Sequence, residues 1–168
     1  LQFEKLAKLV IKDDKTQADD LNTELQHLDE KLFASPALAL ASISGVISKM
    51  ASLSVYGVKV SIRTIRHYDE QAIKDINENE DYIDTLADKV DSYMIRFSPY
   101  VPKGANSNLL NYYIQCFSEF ERIGDYATNI TETAAEIKEK EIKFSPTAHQ
   151  ELAVLGEAIA QVLDYSYK

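Results

Sequence analysis

The sequence has little in it that breaks or staples a chain. Five glycines and four prolines are spread over 168 residues, too few for the many tight turns of a sheet protein, so long uninterrupted helices are the natural reading. A single cysteine, Cys116, excludes an internal disulfide framework and a thiolate metal site, and it fits a reducing compartment. No run approaches the roughly 18 consecutive apolar residues of a membrane span, and no signal-peptide pattern opens the chain, so the piece is read as soluble. The three histidines, His27, His67 and His149, lack the mutual spacing of a zinc motif. Positive charge is also short: 18 Lys and Arg stand against 27 Asp and Glu, a formal net charge of −9. Such a surface repels nucleic acid and favours cations as small partners.

What is present is apolar periodicity. The length fits one domain, and 45% hydrophobic residues can bury a core without staples. Leu1 to about Lys12 carries Leu1, Phe3, Leu6, Leu9 and Val10 between lysines, an amphipathic helix or connector. Residues 13–31 are strongly polar and read as a partly helical linker, so 1–34 is taken as connector and linker and 35–168 as the bundle. The chain starts at Leu1 and ends in an apolar helical pattern, as expected for a piece of something longer.

Ser35-Pro36 starts the first long helix: serine can cap orphan amides, and proline suits the first helical position. That helix runs to about His67. A second, from about Asp69 to Phe97, places Ile73, Ile76, Ile83, Leu86, Val90, Tyr93 and Phe97 on one stripe. Two prolines and Gly104 make a loop of 99–107. A third helix, Asn108 to about Lys143, carries Cys116, Phe120, Ile123, Ala127, Ile130, Ala134 and Ile137 within a stripe about 100° wide. Ser145-Pro146 opens a shorter fourth with Leu152, Leu155, Ile159, Val162 and Leu163 facing the core. The fold expected is all-α: an antiparallel bundle of three long helices plus a shorter fourth.

Two carboxylate pairs stand out. Glu121-Arg-Ile-Gly-Asp125 sets two acids one turn apart on one face of the third helix, opposite its apolar stripe. Glu80 and Asp84 form the same pattern on the shoulder of the second helix's stripe. Brought together, the two pairs give four oxygen donors, which hard divalent or ferric ions accept. The blander reading is a solvated acidic face, since i, i+4 acid pairs arise by chance in so acidic a chain. Gly124 favours the site, because a mid-helix glycine costs about 1 kcal/mol relative to alanine and so marks close approach or function. Lys59, Arg63, Arg66 and His67 share one face near the end of the first helix; the macrodipole and pairing with the second helix account for them more simply than a phosphate contact. Cys116, inside its apolar stripe, reads as a small buried hydrophobe rather than a nucleophile.

Glu121-Arg-Ile-Gly-Asp125-Tyr-Ala-Thr-Asn129-Ile resembles the hallmark of PhoU-type helical bundles. Glu80-x-x-Ile83-Asp84-x-Leu86, Leu28-Asp-Glu before Phe33, and Ser35-Pro36-Ala-Leu-Ala-Leu resemble the form fused behind the membrane domain of sodium/phosphate cotransporter-like proteins. The resemblance covers about Leu28 to Lys143. It implies a regulatory domain, not an enzyme, on the cytoplasmic side of the membrane and linked to phosphate transport. The transporter's membrane domain would lie in the same full-length chain, and a homodimer is a further expected partner. It also implies that Glu80, Asp84, Glu121 and Asp125 ligate a multinuclear iron or zinc-like cluster, empty or filled in the fragment, with Arg122 orienting or neutralising them. PhoU proteins of phosphate signalling have two three-helix repeats, each with its own motif, whereas one such motif occurs here; the segment from Thr147 resembles the opening of a second repeat or a docking fourth helix. Two rivals stand beside this reading. One is a metal-free dimerisation or scaffold bundle. The other is a carboxylate-bridged di-metal enzyme, which is weaker because such sites take Glu-x-x-His from two helices and the chain does not supply that pair.

Overall fold

The computed structural model describes Leu21, Thr23 and residues 25–167. The amphipathic segment expected at 1–12, and most of the polar linker after it, lie outside the described residues. Four helices follow in order: α1 Pro36–Arg66, α2 Glu70–Phe97, α3 Ala105–Glu139 and α4 Pro146–Tyr167. Short 3-10 turns at Glu30–Ala34 and Ser98–Tyr100 precede α1 and follow α2, and no strand occurs among the described residues. The all-α bundle with a shorter fourth helix is thus the observed fold.

The ends of the helices follow from local chemistry. Asp69 Oδ1 accepts from the amides of Gln71 at 3.0 Å and Ala72 at 3.1 Å, and so caps α2. Ser145 Oγ accepts from Ala148 at 3.1 Å and caps α4. Helix α3 starts three residues earlier than periodicity predicts, because Ser107 Oγ accepts from the Gly104 amide at 3.2 Å and recruits the residues between them into the first turn. It also ends earlier. Glu141, in the left-handed region at φ 50, lets the Ile142 amide reach Ile137 O at 3.0 Å and its own amide reach Lys138 O at 3.2 Å. This is the Schellman geometry, normally built on glycine.

Helices α1, α2 and α3 each pass through two compact units. One unit holds the described residues up to Met50 together with Asp84–Glu119. Its core takes Leu40, Ile43, Val46, Leu86, Val90, Met94, Leu110 and Phe117. At one end of it Phe33, Tyr93, Phe97 and Tyr100 form an aromatic cluster with ring centroids 5.0–6.3 Å apart. Phe33, Asp29 and Glu30 are tied to this unit although they precede residue 35: Tyr93 Oη donates to Asp29 O at 3.2 Å, and Glu30 pairs with Arg96 at 2.6 Å.

The other unit holds Ala51–Ile83 and the described residues from Phe120 onward. Val58, Ile76 and Ala127 form its centre, with Ile62, Ile123, Ile130, Ile159 and Leu163 packed around them. Buried polar groups link its helices. Asn79 Nδ2 donates to Leu53 O of α1 at 3.1 Å, and Ser54 Oγ donates to Phe120 O of α3 at 2.6 Å. A buried polar group without a partner costs on the order of 1–3 kcal/mol, so these bonds also fix the register. In this unit α2 runs antiparallel to α1, since Leu53 meets Asn79 while Val58 meets Ile76. Helix α4 docks antiparallel on α1 through Leu163, Ile159 and Gly156, and Lys59 pairs with Asp164. The pairing of Lys59 is therefore with α4, not with the acidic second helix.

Candidate functional site: carboxylates beside a close helix approach

The apolar stripe predicted for α3 is rotated from the face that is buried. Leu110, Phe117, Gly124, Ala127, Thr131 and Ala134 are buried, whereas Cys116, Ile123, Ile130 and Ile137 are half-exposed. At 100° per residue the buried face is centred roughly 70° from the predicted one. The cause is that a glycine and a threonine, invisible to a count of apolar residues, sit in the packed face. Cys116 is accordingly intermediate rather than buried.

This rotation moves one of the acids. Glu121, expected opposite the apolar stripe, sits at the edge of the packed face and is half-buried, whereas Asp125 is exposed as expected. Between them Gly124 is buried against α2, and a Cβ added there would lie 3.2 Å from Ile83 Cδ1 and 3.8 Å from Ser54 Oγ. The missing side chain is what allows α3 to come so near α2 at this level.

The consequence appears on the next residues of each helix. Asp125 follows Gly124, Glu80 precedes Ile83 by one turn, and a carboxylate oxygen of Glu80 lies within 4.8 Å of one of Asp125. Asp84, the next acid along α2, is exposed. Glu121 does not belong to this group, although it stands one turn before Asp125 on α3. Arg122 is exposed.

Two like charges 4.8 Å apart repel by about 1 kcal/mol at the dielectric of bulk water, and by more beside a packed helix interface. A cation between them reverses the sign. The donors are all carboxylate oxygens, with no His or Cys in the group, so the set fits a hard ion better than one that seeks nitrogen or sulfur.

Sequence reading grouped Arg63, Arg66 and His67 but missed what gathers near Arg66. Tyr68, Lys138, Lys143, Phe144 and His149 line the same cleft, on segments as far as 83 positions apart in the chain. No local spacing signals such a grouping.

Helix α1 is, by length and composition alone, apolar enough to cross a membrane, although serines, Lys49 and glycines interrupt its apolar run. In the fold, 56% of its most apolar 18-residue window is buried inside the protein, as in the core helix of a bundle.

The profile of the PhoU domain matches residues 47–134, more than half of the chain and the whole span from Glu80 to Asp125. The chain belongs to the PhoU domain family. PhoU domains are regulatory rather than enzymatic, are generally soluble and cytoplasmic, and are associated with phosphate transport. Neither the curated proteins nor the solved structures contain a match to this chain.

Proposed function

We propose that this PhoU domain is a cation-responsive regulatory module of phosphate transport, carried on the cytoplasmic side of the membrane by a sodium/phosphate cotransporter-like domain in the same full-length protein. The observation that supports it most is the approach of Glu80 to Asp125 beside Gly124, within the residues matched to the family. Asp84 stands one turn after Glu80 on α2, and Glu121 one turn before Asp125 on α3. A bound hard ion would join α2 to α3 at one level and stiffen the packing there, so that ion occupancy becomes a mechanical state a transporter can sense. Iron or manganese suits the oxygen donors better than zinc.

The test is calorimetric titration of the chelator-stripped protein with Mn²⁺, together with its melting temperature. Binding that is lost in Glu80→Gln and Asp125→Asn, with a melting point raised by the ion only in the parent, is the expected result. Equal melting with ion and with chelator would remove the site from the proposal. Apolar spans upstream of Leu1 in the full-length protein are the expectation for the transporter linkage, and their absence there would refute it.

The metal-free association module draws on a different feature. Val154, Leu155, Val162 and Tyr165 of α4 are 56–77% exposed, although Leu155 and Val162 were expected to face the core. Sedimentation of the stripped protein distinguishes the readings, since self-association without any ion binding favours the second.

A further inference from the structure

The cleft at the α3–α4 junction has a volume of about 640 Å³, within the range of roughly 300–1,000 Å³ typical of small-molecule sites. It lies wholly within one compact unit. Arg66, Lys138 and Lys143 give it three permanent cations against a single carboxylate, Glu141. That is a formal excess of two positive charges in a chain whose net charge is −9. Neither Arg66 nor Lys143 has an ion-pair partner among the described residues. Lys138 lies over the Tyr68 ring at 6.0 Å, and Phe144 meets His149 edge-on at 5.6 Å.

The helix macrodipole explains part of this. Arg66 and Lys138 occupy the last turns of α1 and α3, where cations are favoured. It does not explain the rest. Lys143 lies beyond either helix, and His149 stands in the first turn of α4, whose positive end disfavours a cation and attracts an anion. The wall is also strained: Glu141, the non-glycine residue at φ 50, sits in it with Ile142. The Schellman turn that Glu141 closes is what directs the chain through Ile142, Lys143 and Phe144 along the cleft.

We propose that this cleft binds a phosphorylated small molecule with an aromatic or apolar body. The guanidinium of Arg66 offers a bidentate fork to a phosphate, with Lys138 and Lys143 as point charges; the excess of two positive charges matches a phosphate monoester dianion. Tyr68, Ile142 and Phe144 supply the surface for the body, which inorganic phosphate would leave empty. The site is separate from the carboxylate group and does not depend on it.

The experiment titrates the full chain with AMP, adenosine and inorganic phosphate by calorimetry. AMP is expected to bind at least tenfold more tightly than either half. Arg66→Gln with Lys143→Gln is expected to weaken AMP at least tenfold, whereas Lys89→Gln with Lys103→Gln, an equal change of charge on exposed residues elsewhere, leaves it unchanged. Glu141→Gly removes the lone acid and the strained conformation together, so it should tighten AMP and raise the melting temperature. The proposal is overturned if AMP does not bind, if phosphate alone matches it, or if the two double variants behave alike. Binding of AMP that persists in Glu80→Gln separates this site from the carboxylate proposal.

Discussion

At the scale of single residues, two glycines in long helices do opposite things. Gly45 in α1 is exposed, and an added Cβ would meet nothing within 4 Å. Gly45→Ala should therefore stabilise the protein by about 0.4–1 kcal/mol in urea unfolding, through lost freedom of the unfolded chain. Gly124 is the reverse. Its Cβ would press on Ile83, itself fully buried, at 3.2 Å, so alanine there should yield none of that gain. Gly124→Leu should cost about 1–3 kcal/mol or more by overpacking, and by pushing α3 from α2 it should weaken Mn²⁺ binding as well. A leucine that leaves stability unchanged would contradict the close approach.

At the scale of elements, Tyr93 pins the turn Glu30–Ala34 to α2. Its hydroxyl bonds Asp29 O, and burial, then the nearby carboxylates of Asp29 and Glu30, push its pKa above the ordinary value near 10. The phenolate is disfavoured in the fold, so on raising the pH the unfolded chain loses this proton first. The contribution is intact below about pH 10 and is lost as pH climbs through the raised folded value. Tyr93→Phe should cost about 1 kcal/mol at neutral pH and make the loss of stability above pH 10 shallower, measured by chemical unfolding at several pH values.

Helix α4 hangs on a different contact. A Cβ on Gly156 would come within 2.8 Å of Ile62 Cγ2, a branch methyl that cannot swing clear. None of the described side chains of α4 is fully buried, so its hold on α1 rests on half-buried contacts. Gly156→Leu should lower the hydrogen-exchange protection of α4 at least tenfold while the amides around Val90 and Tyr93 keep theirs. Equal loss in both places would show instead that α4 and the rest unfold as one unit.

At the scale of the whole molecule, the net charge of −9 shapes how ion binding must be read. A chain so acidic gains stability from any divalent ion by screening and loose association. The informative quantity is the difference between the parent and Asp125→Asn at the same ionic strength, in which general screening cancels. A melting shift with Mn²⁺ that both proteins share belongs to the surface. One confined to the parent belongs to the carboxylates.

Helix identity, order and most boundaries were legible in the sequence, because scarce Gly and Pro, serine and aspartate caps and apolar periodicity act over a few residues. The carboxylates of the motif were legible too, as types and spacings. What the sequence could not give was the rotation of α3, since burial of Gly124 and Thr131 is decided by the neighbours they pack against rather than by their own hydrophobicity. That rotation determines that Asp125 meets Glu80. In the same way Arg66 was visible as a cation on a helix end, but its cleft exists only where the turn at Glu141 leads the chain past it. Local chemistry determined the elements of this protein; which acids and which cations became neighbours was decided by packing between helices, where a missing Cβ counts for more than a charge.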